Sequence, residues 1–193
     1  MKKRVGVLAL QGDFEAHEKA LAHAGAEPVQ VRTAEDLASV EGLVIPGGES
    51  TTMLKLLHFM DLMEPLRRFA DEKPVFGTCA GAILLAKEVS NPGQESFGTV
   101  DMTVERNAYG RQIDSRVAHI TPDADFQQRA GAGELEAVFI RAPIIRRTGP
   151  GVKVLAEYDG NPVLVEQGKN LIATFHPELT KDSRVHKLFL SKL

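Results

Sequence analysis

Residues 74–81, PVFGTCAG, constrain this chain more than any other stretch. A short apolar run, Val75 and Phe76, enters Gly77 and Thr78, reaches Cys79 and passes directly into AGAILLAKE, which reads as a helix over 80–88. Glycines at 77 and 81 on either side of a polar nucleophile are what a sharp strand-to-helix turn requires, because a side chain at either position would collide with neighbouring backbone. Such a turn lifts the reactive atom above the edge of a sheet. It also sets Cys79 at a helix N-terminus, where the dipole and the unpaired amides favour a thiolate. A cysteine without that setting is a small buried hydrophobe. The Gly-Thr-Cys-Ala-Gly context makes Cys79 a candidate nucleophile.

The rest of the chain supplies the sheet that such a turn needs. Residues 5–10 are continuously apolar and read as a strand buried on both faces. Phe14, His17, Leu21 and Ala24 then fall on one helical face, and Gly25 ends that helix. Residues 28–31 and 43–45 read as the next two strands. Strands alternating with helices imply βαβ units and a parallel sheet covered on both faces, the three-layer α/β class. The third strand runs into Pro46, Gly47, Gly48, Glu49, Ser50, Thr51 and Thr52, followed by a helix with Met53, Leu54, Leu57 and Met60 at core spacing. Two adjacent glycines before a capping serine present backbone amides to an anion or oxyanion. The GK[ST] ending of a Walker phosphate loop is missing. This loop and Cys79 both follow parallel strands, at the carboxyl edge where such sheets bind ligands.

Between Asn91 and Gly168 the runs 98–104, 115–120, 137–140, 152–157 and 162–166 read as strands that extend the sheet in mixed or antiparallel fashion. Two polar clusters interrupt them: Glu105, Arg106, Asn107, Tyr109, Gly110, Arg111 and Gln112, and Arg141 within FIRAP. An arginine is ordinarily a surface charge, yet its fork suits a carboxylate better than lysine does. A last apolar strand, 171–175, leads to His176, Pro177 and Glu178. Residues two apart in an extended chain point the same way, so imidazole and carboxylate can share one face as a base and its orienting group. Proline between them favours the extended form. His17, His23, His58, His119 and His186 read as helix or surface residues. A helix from about Asp182 closes the chain, with Val185, Leu188 and Phe189 toward the core.

The totals narrow the class. A length of 193 residues suits one domain, 1–193, without staples. One cysteine allows no internal disulfide and fits a reducing cytoplasm. A net charge of -3 argues against a nucleic-acid partner. The apolar start reaches Asp13 and Glu15 too soon for a signal peptide or membrane span. One cysteine and scattered histidines give no zinc spacing, so neither a metal nor a cofactor is expected. An elbow cysteine, His-x-Glu after the last strand and a Gly-Gly loop on the same edge together suit thiol-based acyl transfer.

GTCAG around Cys79 and FHPEL around His176 and Glu178 resemble the class I, or triad, glutamine amidotransferases. ALQG at 9–12, PGGESTT at 46–52, VERNAYGRQIDS at 104–115 and FIRAP at 139–143 narrow the resemblance to the glutaminase subunits of pyridoxal 5'-phosphate synthase, the PdxT/SNO family. The elbow and HPE are common to class I relatives, whereas the other four blocks are specific in combination. The resemblance implies a flavodoxin-like class I glutamine amidotransferase fold, a three-layer sandwich around a mostly parallel, mixed central sheet. It implies Cys79 as nucleophile, His176 as general base and Glu178 as its orienting carboxylate. It places L-glutamine on Gly48, Glu49, Ser50, Arg106, Ile140 and Arg141. Amides of Ala80 and of the Gly47/Gly48 loop would form the oxyanion hole. The implied reaction hydrolyses glutamine to glutamate and ammonia, which passes to an activating synthase subunit of the PdxS/SNZ type within a large ring-shaped complex. Arg116 stands where the family pattern has an aromatic residue, and 123–134 is rich in Ala and Gly. A glutaminase serving a histidine or purine synthase, and a non-catalytic regulatory subunit, are the rival readings. A DJ-1-like stress protein shares the cysteine elbow but leaves His-Pro-Glu and GRQIDS unexplained.

Overall fold

The structure, a computed structural model, describes residues 1–108 and 115–193, so Tyr109, Gly110, Arg111 and Gln112 of the polar cluster lie outside the described residues. The first half alternates as expected: β1 (Arg4–Leu8), α1 (Phe14–Ala24), β2 (Glu27–Val31), α2 (Ala34–Ala38), β3 (Gly42–Ile45), α3 (Ser50–Phe59), α4 (Met63–Glu72), β4 (Val75–Thr78) and α5 (Ala80–Leu85). The second half is richer in strands: β5 (Ala86–Ser90), β6 (Val100–Glu105), β7 (Arg116–Ile120), α6 (Ala124–Ala130), β8 (Leu135–Phe139), β9 (Ile144–Thr148), β10 (Lys153–Tyr158), β11 (Asn161–Gln167) and β12 (Asn170–Ala173). A 3-10 turn at Pro177–Leu179 and α7 (Arg184–Leu190) complete it.

Seven strands form the central sheet in the order β10-β11-β12-β4-β3-β1-β2. From β12 to β2 every pairing is parallel, while β11 runs antiparallel to both its neighbours. Register explains why these strands are apolar at successive positions. Phe76 sits between Val44 and Leu171, and Gly77 between Ile45 and Ile172. With a side-chain period of two, Leu43, Ile45, Val75 and Ile172 enter one core and Val44, Phe76, Leu171 and Ala173 the other. Helices α2, α3, α4 and α5 cover the first face through residues such as Leu37, Met53, Leu66 and Leu84. Helices α1, α6 and α7 cover the second through Leu21, Phe126 and Phe189, together with the antiparallel β7-β8 pair. Each large apolar side chain fully withdrawn from water in these layers contributes about 1.5–3 kcal/mol.

Two expectations change. The helix after Cys79 stops at Leu85, because Ala86 turns extended and pairs with Val100 of β6. Of the later β-like runs, only β10 and β11 extend the central sheet. β6 instead joins β5 and β9 in a three-stranded sheet, and β7 pairs with β8 alone. Val100, Met102 and Val104 alternate inward from β6, so that small sheet packs by one face on the first core. Among the described residues no helix is long and apolar enough to cross a membrane.

Candidate active site

Neighbouring parallel strands β3, β4 and β12 deliver the Gly47-Gly48 loop, Cys79 and His176 to one rim of the sheet. Cys79 has φ 49° and ψ −102°, a conformation that a residue with a β-carbon resists. Its amide donates to Ala173 O at 3.0 Å, and its carbonyl accepts from Ile83 N at 3.2 Å. A β-carbon at Gly81 would lie 2.2 Å from Ile45 O, and one at Gly77 2.7 Å from the Gly81 carbonyl, so both glycines of the elbow are sterically required. The cysteine is nearly buried, with Sγ 3.9 Å from Ile140 O.

His176 is fixed from both ends. Its backbone amide donates to Val138 O at 2.8 Å, and Nδ1 lies 2.6 Å from Glu178 Oε1. The imidazole is 4% exposed and the Glu178 side chain fully buried. The two groups meet as expected, but not through extended chain: Pro177 opens a 3-10 turn that folds Glu178 back onto the ring. Burial disfavours a charge on His176, yet its interactions with the sulfur of Cys79 and the carboxylate of Glu178 outweigh burial and push its pKa up to about 10. Nε2 itself is buried and has no aligned hydrogen bond among the described residues. A β-carbon at Gly47 would lie 2.5 Å from His176 Cε1 and 3.3 Å from Cys79 Cβ, so this glycine makes room for both groups at once.

Around them is a cavity of about 500 Å³ lined by Gly48, Glu49, Ser50, Cys79, Arg106, Ile140, Arg141 and His176 among others. Ala80 is buried at the first position of α5, where its amide has no intrahelical acceptor. The expected residues therefore converge, with Glu178 behind the ring and Gly47 beneath it. Their local roles differ in one respect. Glu49, not Ser50, caps α3: its carboxylate accepts from Thr51 N at 2.9 Å, Thr52 N at 2.7 Å and Thr52 Oγ1 at 2.7 Å. Burial, the largest single influence, works to raise its pKa, but those bonds together outweigh it and hold the pKa down at about 2. Ser50 starts the helix and donates to Gln94 Oε1 at 3.1 Å. Arg106 donates to Thr51 Oγ1 at 2.7 Å, which steadies its guanidinium at the cavity wall. Arg141 has φ 46° and is the second strained non-glycine residue on that wall.

Other side chains here were not singled out from sequence. Asp13, exposed at the start of α1, brings a carboxylate oxygen within 4.8 Å of ligand atoms on His176 and Glu178. Gln11 Oε1 accepts from Glu49 N at 3.2 Å, and a β-carbon at Gly48 would strike the Gln11 amide. Most unexpectedly, His17 and His186 are fully buried, with His17 directly behind Glu178. Their helices were anticipated, and His17 lies on the apolar face of α1, which is the sequence signal for its burial. Burial holds His186 down to about 4; it lowers His17 as well, reinforced by charge on His186 and His176.

The sequence matches the SNO glutamine amidotransferase family over residues 7–193. It is 67% identical to the pyridoxal 5'-phosphate synthase subunit PdxT of Solibacter usitatus, covering 99% of this chain and 100% of that one. Identity to the protein of the same name from Koribacter versatilis is 58%, over 97% and 94% of the two chains. A crystal structure described as a glutamine amidotransferase superposes with a TM-score of 0.88 at 46% identity, covering 97% of each chain. With its fold, rim geometry and full-length relatives in agreement, this chain belongs to the SNO glutamine amidotransferase family.

Proposed function

We propose that the protein hydrolyses L-glutamine to L-glutamate and ammonia through Cys79, His176 and Glu178, as the glutaminase subunit of a pyridoxal 5'-phosphate synthase. The observation that carries this reading is the 2.6 Å contact of His176 with Glu178 on a ring that shares Gly47 as its neighbour with Cys79. Cys79 as thiolate adds to the side-chain amide carbon of glutamine, and the carbonyl π electrons move to oxygen. The amides of Ala80 and of the Gly47/Gly48 loop meet that oxyanion; one such donor is worth about 3 kcal/mol in a transition state. Collapse breaks the carbon–nitrogen bond as His176 gives its proton to the leaving nitrogen, releasing ammonia and leaving a γ-glutamyl thioester. Water then loses a proton to His176 and attacks the thioester, giving glutamate and returning the thiolate.

Arg106 and Arg141 bring positive charge to the cavity that would hold the substrate carboxylate, and Glu49, 3.9 Å from the Arg106 guanidinium, and Ser50 line it as polar partners. The ammonia passes to a synthase subunit of the PdxS/SNZ type in a ring-shaped complex, and contact with that subunit raises glutaminase activity. The names carried by the 67% and 58% identical relatives support this choice of partner. A lone cysteine kept reduced as nucleophile suits a cytoplasmic protein. The test is ammonia release from glutamine with the synthase subunit present. Cys79→Ala is expected to lower it by at least about 10³-fold; retained activity overturns the assignment.

A further inference from the structure

The proposed triad uses only one oxygen of Glu178. Oε1 meets His176 Nδ1, whereas the buried Oε2 has no fully aligned hydrogen bond and faces His17 Nε2 at 3.4 Å. That same nitrogen lies 3.0 Å from the hydroxyl of Thr78, the residue before Cys79. The other ring nitrogen of His17, Nδ1, lies 3.1 Å from His186 Nε2. Phe76 stands edge-on to both imidazoles, with centroids 6.1 Å and 5.5 Å away. Among the described residues, His186 Nδ1 is buried without a hydrogen-bond partner.

Counting protons over these atoms selects one arrangement. Both rings are held neutral near pH 7, so each carries one proton. A proton on His17 Nδ1 would have to go to His186 Nε2, which forces the His186 proton onto Nδ1, where no described residue offers an acceptor. It would also turn a lone pair of His17 Nε2 toward the carboxylate oxygen. The opposite choice turns a donor toward the carboxylate: His186 Nε2–H donates to His17 Nδ1, and His17 Nε2–H is shared between Thr78 Oγ1 and Glu178 Oε2, leaving over the acceptor His186 Nδ1 and the hydroxyl proton of Thr78. Each arrangement leaves one neutral donor over, but only the first sets a lone pair against a buried carboxylate oxygen, and an unmet charged group is the worse defect.

We infer that His17 is a positioning residue for the reaction: as the Nε2–H tautomer fixed by His186, it holds the second oxygen of Glu178 so that the first stays aimed at His176. Through Thr78 it also ties that carboxylate to the strand bearing Cys79. This inference rests on the Cys-His-Glu reading for its function, while the tautomer itself does not.

Nitrogen-15 NMR of the full chain labelled at histidine reads the tautomers directly. At pH 7 both rings are expected as neutral Nε2–H forms; an Nδ1–H ring or a cation at position 17 overturns the proposal. In the complex with the synthase subunit, His17→Leu is expected to lower kcat about tenfold with KM for glutamine unchanged. His17→Gln, which restores an N–H donor, should recover most of that loss. Equal loss in two folded variants, or a loss confined to KM, overturns the positioning role. If the leucine variant does not fold, the NMR result and the glutamine variant decide. Activity surviving in Cys79→Ala would remove the triad reading without changing the His17 spectrum, so the two failures are distinguishable.

Discussion

Cys79 is held at φ 49°, and His176 is oriented by Glu178 at 2.6 Å. A strained backbone of this kind costs about 1–3 kcal/mol and persists only where its surroundings over-determine it. Here Ala173, Ile83 and the two elbow glycines do so. Gly47 has a different part, since the atoms nearest its missing β-carbon are His176 Cε1 at 2.5 Å and Cys79 Cβ at 3.3 Å. Gly47→Ala must therefore displace the imidazole or the loop. Ammonia release in the presence of the synthase subunit is expected to fall at least about 100-fold, because both the imidazole's orientation and the proposed oxyanion donor are disturbed. Thermal melting should move by only a few degrees, since the obstructing ring stands at a cavity rim; a large fall in melting with activity retained would reverse this assignment. The elbow and His-Pro-Glu were readable because each is written within a few consecutive residues. His17 was readable only as a residue on an apolar face: its partners Thr78 and His186 are 61 and 169 positions away. No local pattern connects them.

At the level of elements, α5 is held against β3 by an absent side chain. The nearest atom to a β-carbon at Gly81 is the backbone oxygen of Ile45 at 2.2 Å, which belongs to the central sheet and cannot swing aside. Gly81→Ala should therefore cost stability as well as activity, by about 1–3 kcal/mol or more as an overpacked site. Since each kcal/mol shifts melting by about 2–4 °C in a domain of this size, a drop of several degrees is expected. An unchanged melting temperature would show that α5 can slide on β3. The pattern of strands β1, β3 and β4 was legible because both faces are covered, which makes nearly every position apolar or small. The later strands were legible as strands but not in their pairing. Whether a half-buried run such as β6 joins the large sheet or a small one depends on β5 and β9, whose register no single segment encodes. Helix α4 had a usable signal in Met63, Leu66, Phe69 and Ala70, all buried on one side. Pro65 obscures it, although within the first turn a proline removes no intrahelical bond.

Across the whole molecule, His17 and His186 join α1 to α7 behind β4, inside the core that Phe76 and Phe189 otherwise keep apolar. This makes the fold sensitive to acid. An unfolded histidine takes a proton below its ordinary value of 6.5, whereas folded His186 resists until about 4. Between those values the unfolded state binds more protons, so stability falls as pH falls and stops falling, for this group, once the folded form is also protonated. His17 is lowered too and acts in the same direction. His176 is pushed the other way; its contribution is complete below 6.5 and is lost as pH rises toward about 10. The carboxylates of Glu166 and Asp182, held below their ordinary values of 4.5 and 3.8, start to lose their contributions only at those more acidic values. From pH 6.5 to 4.5 the slope therefore belongs to the histidine pair. At about 1.4 kcal/mol per pH unit, His186 alone accounts for about 2–3 kcal/mol over that interval. Urea unfolding across it should show this decline in the parent protein. His186→Gln, which keeps an N–H toward His17 but does not titrate, should remove the His186 share of it, about 2–3 kcal/mol; equal slopes in the two proteins would place the acid-sensitive group elsewhere.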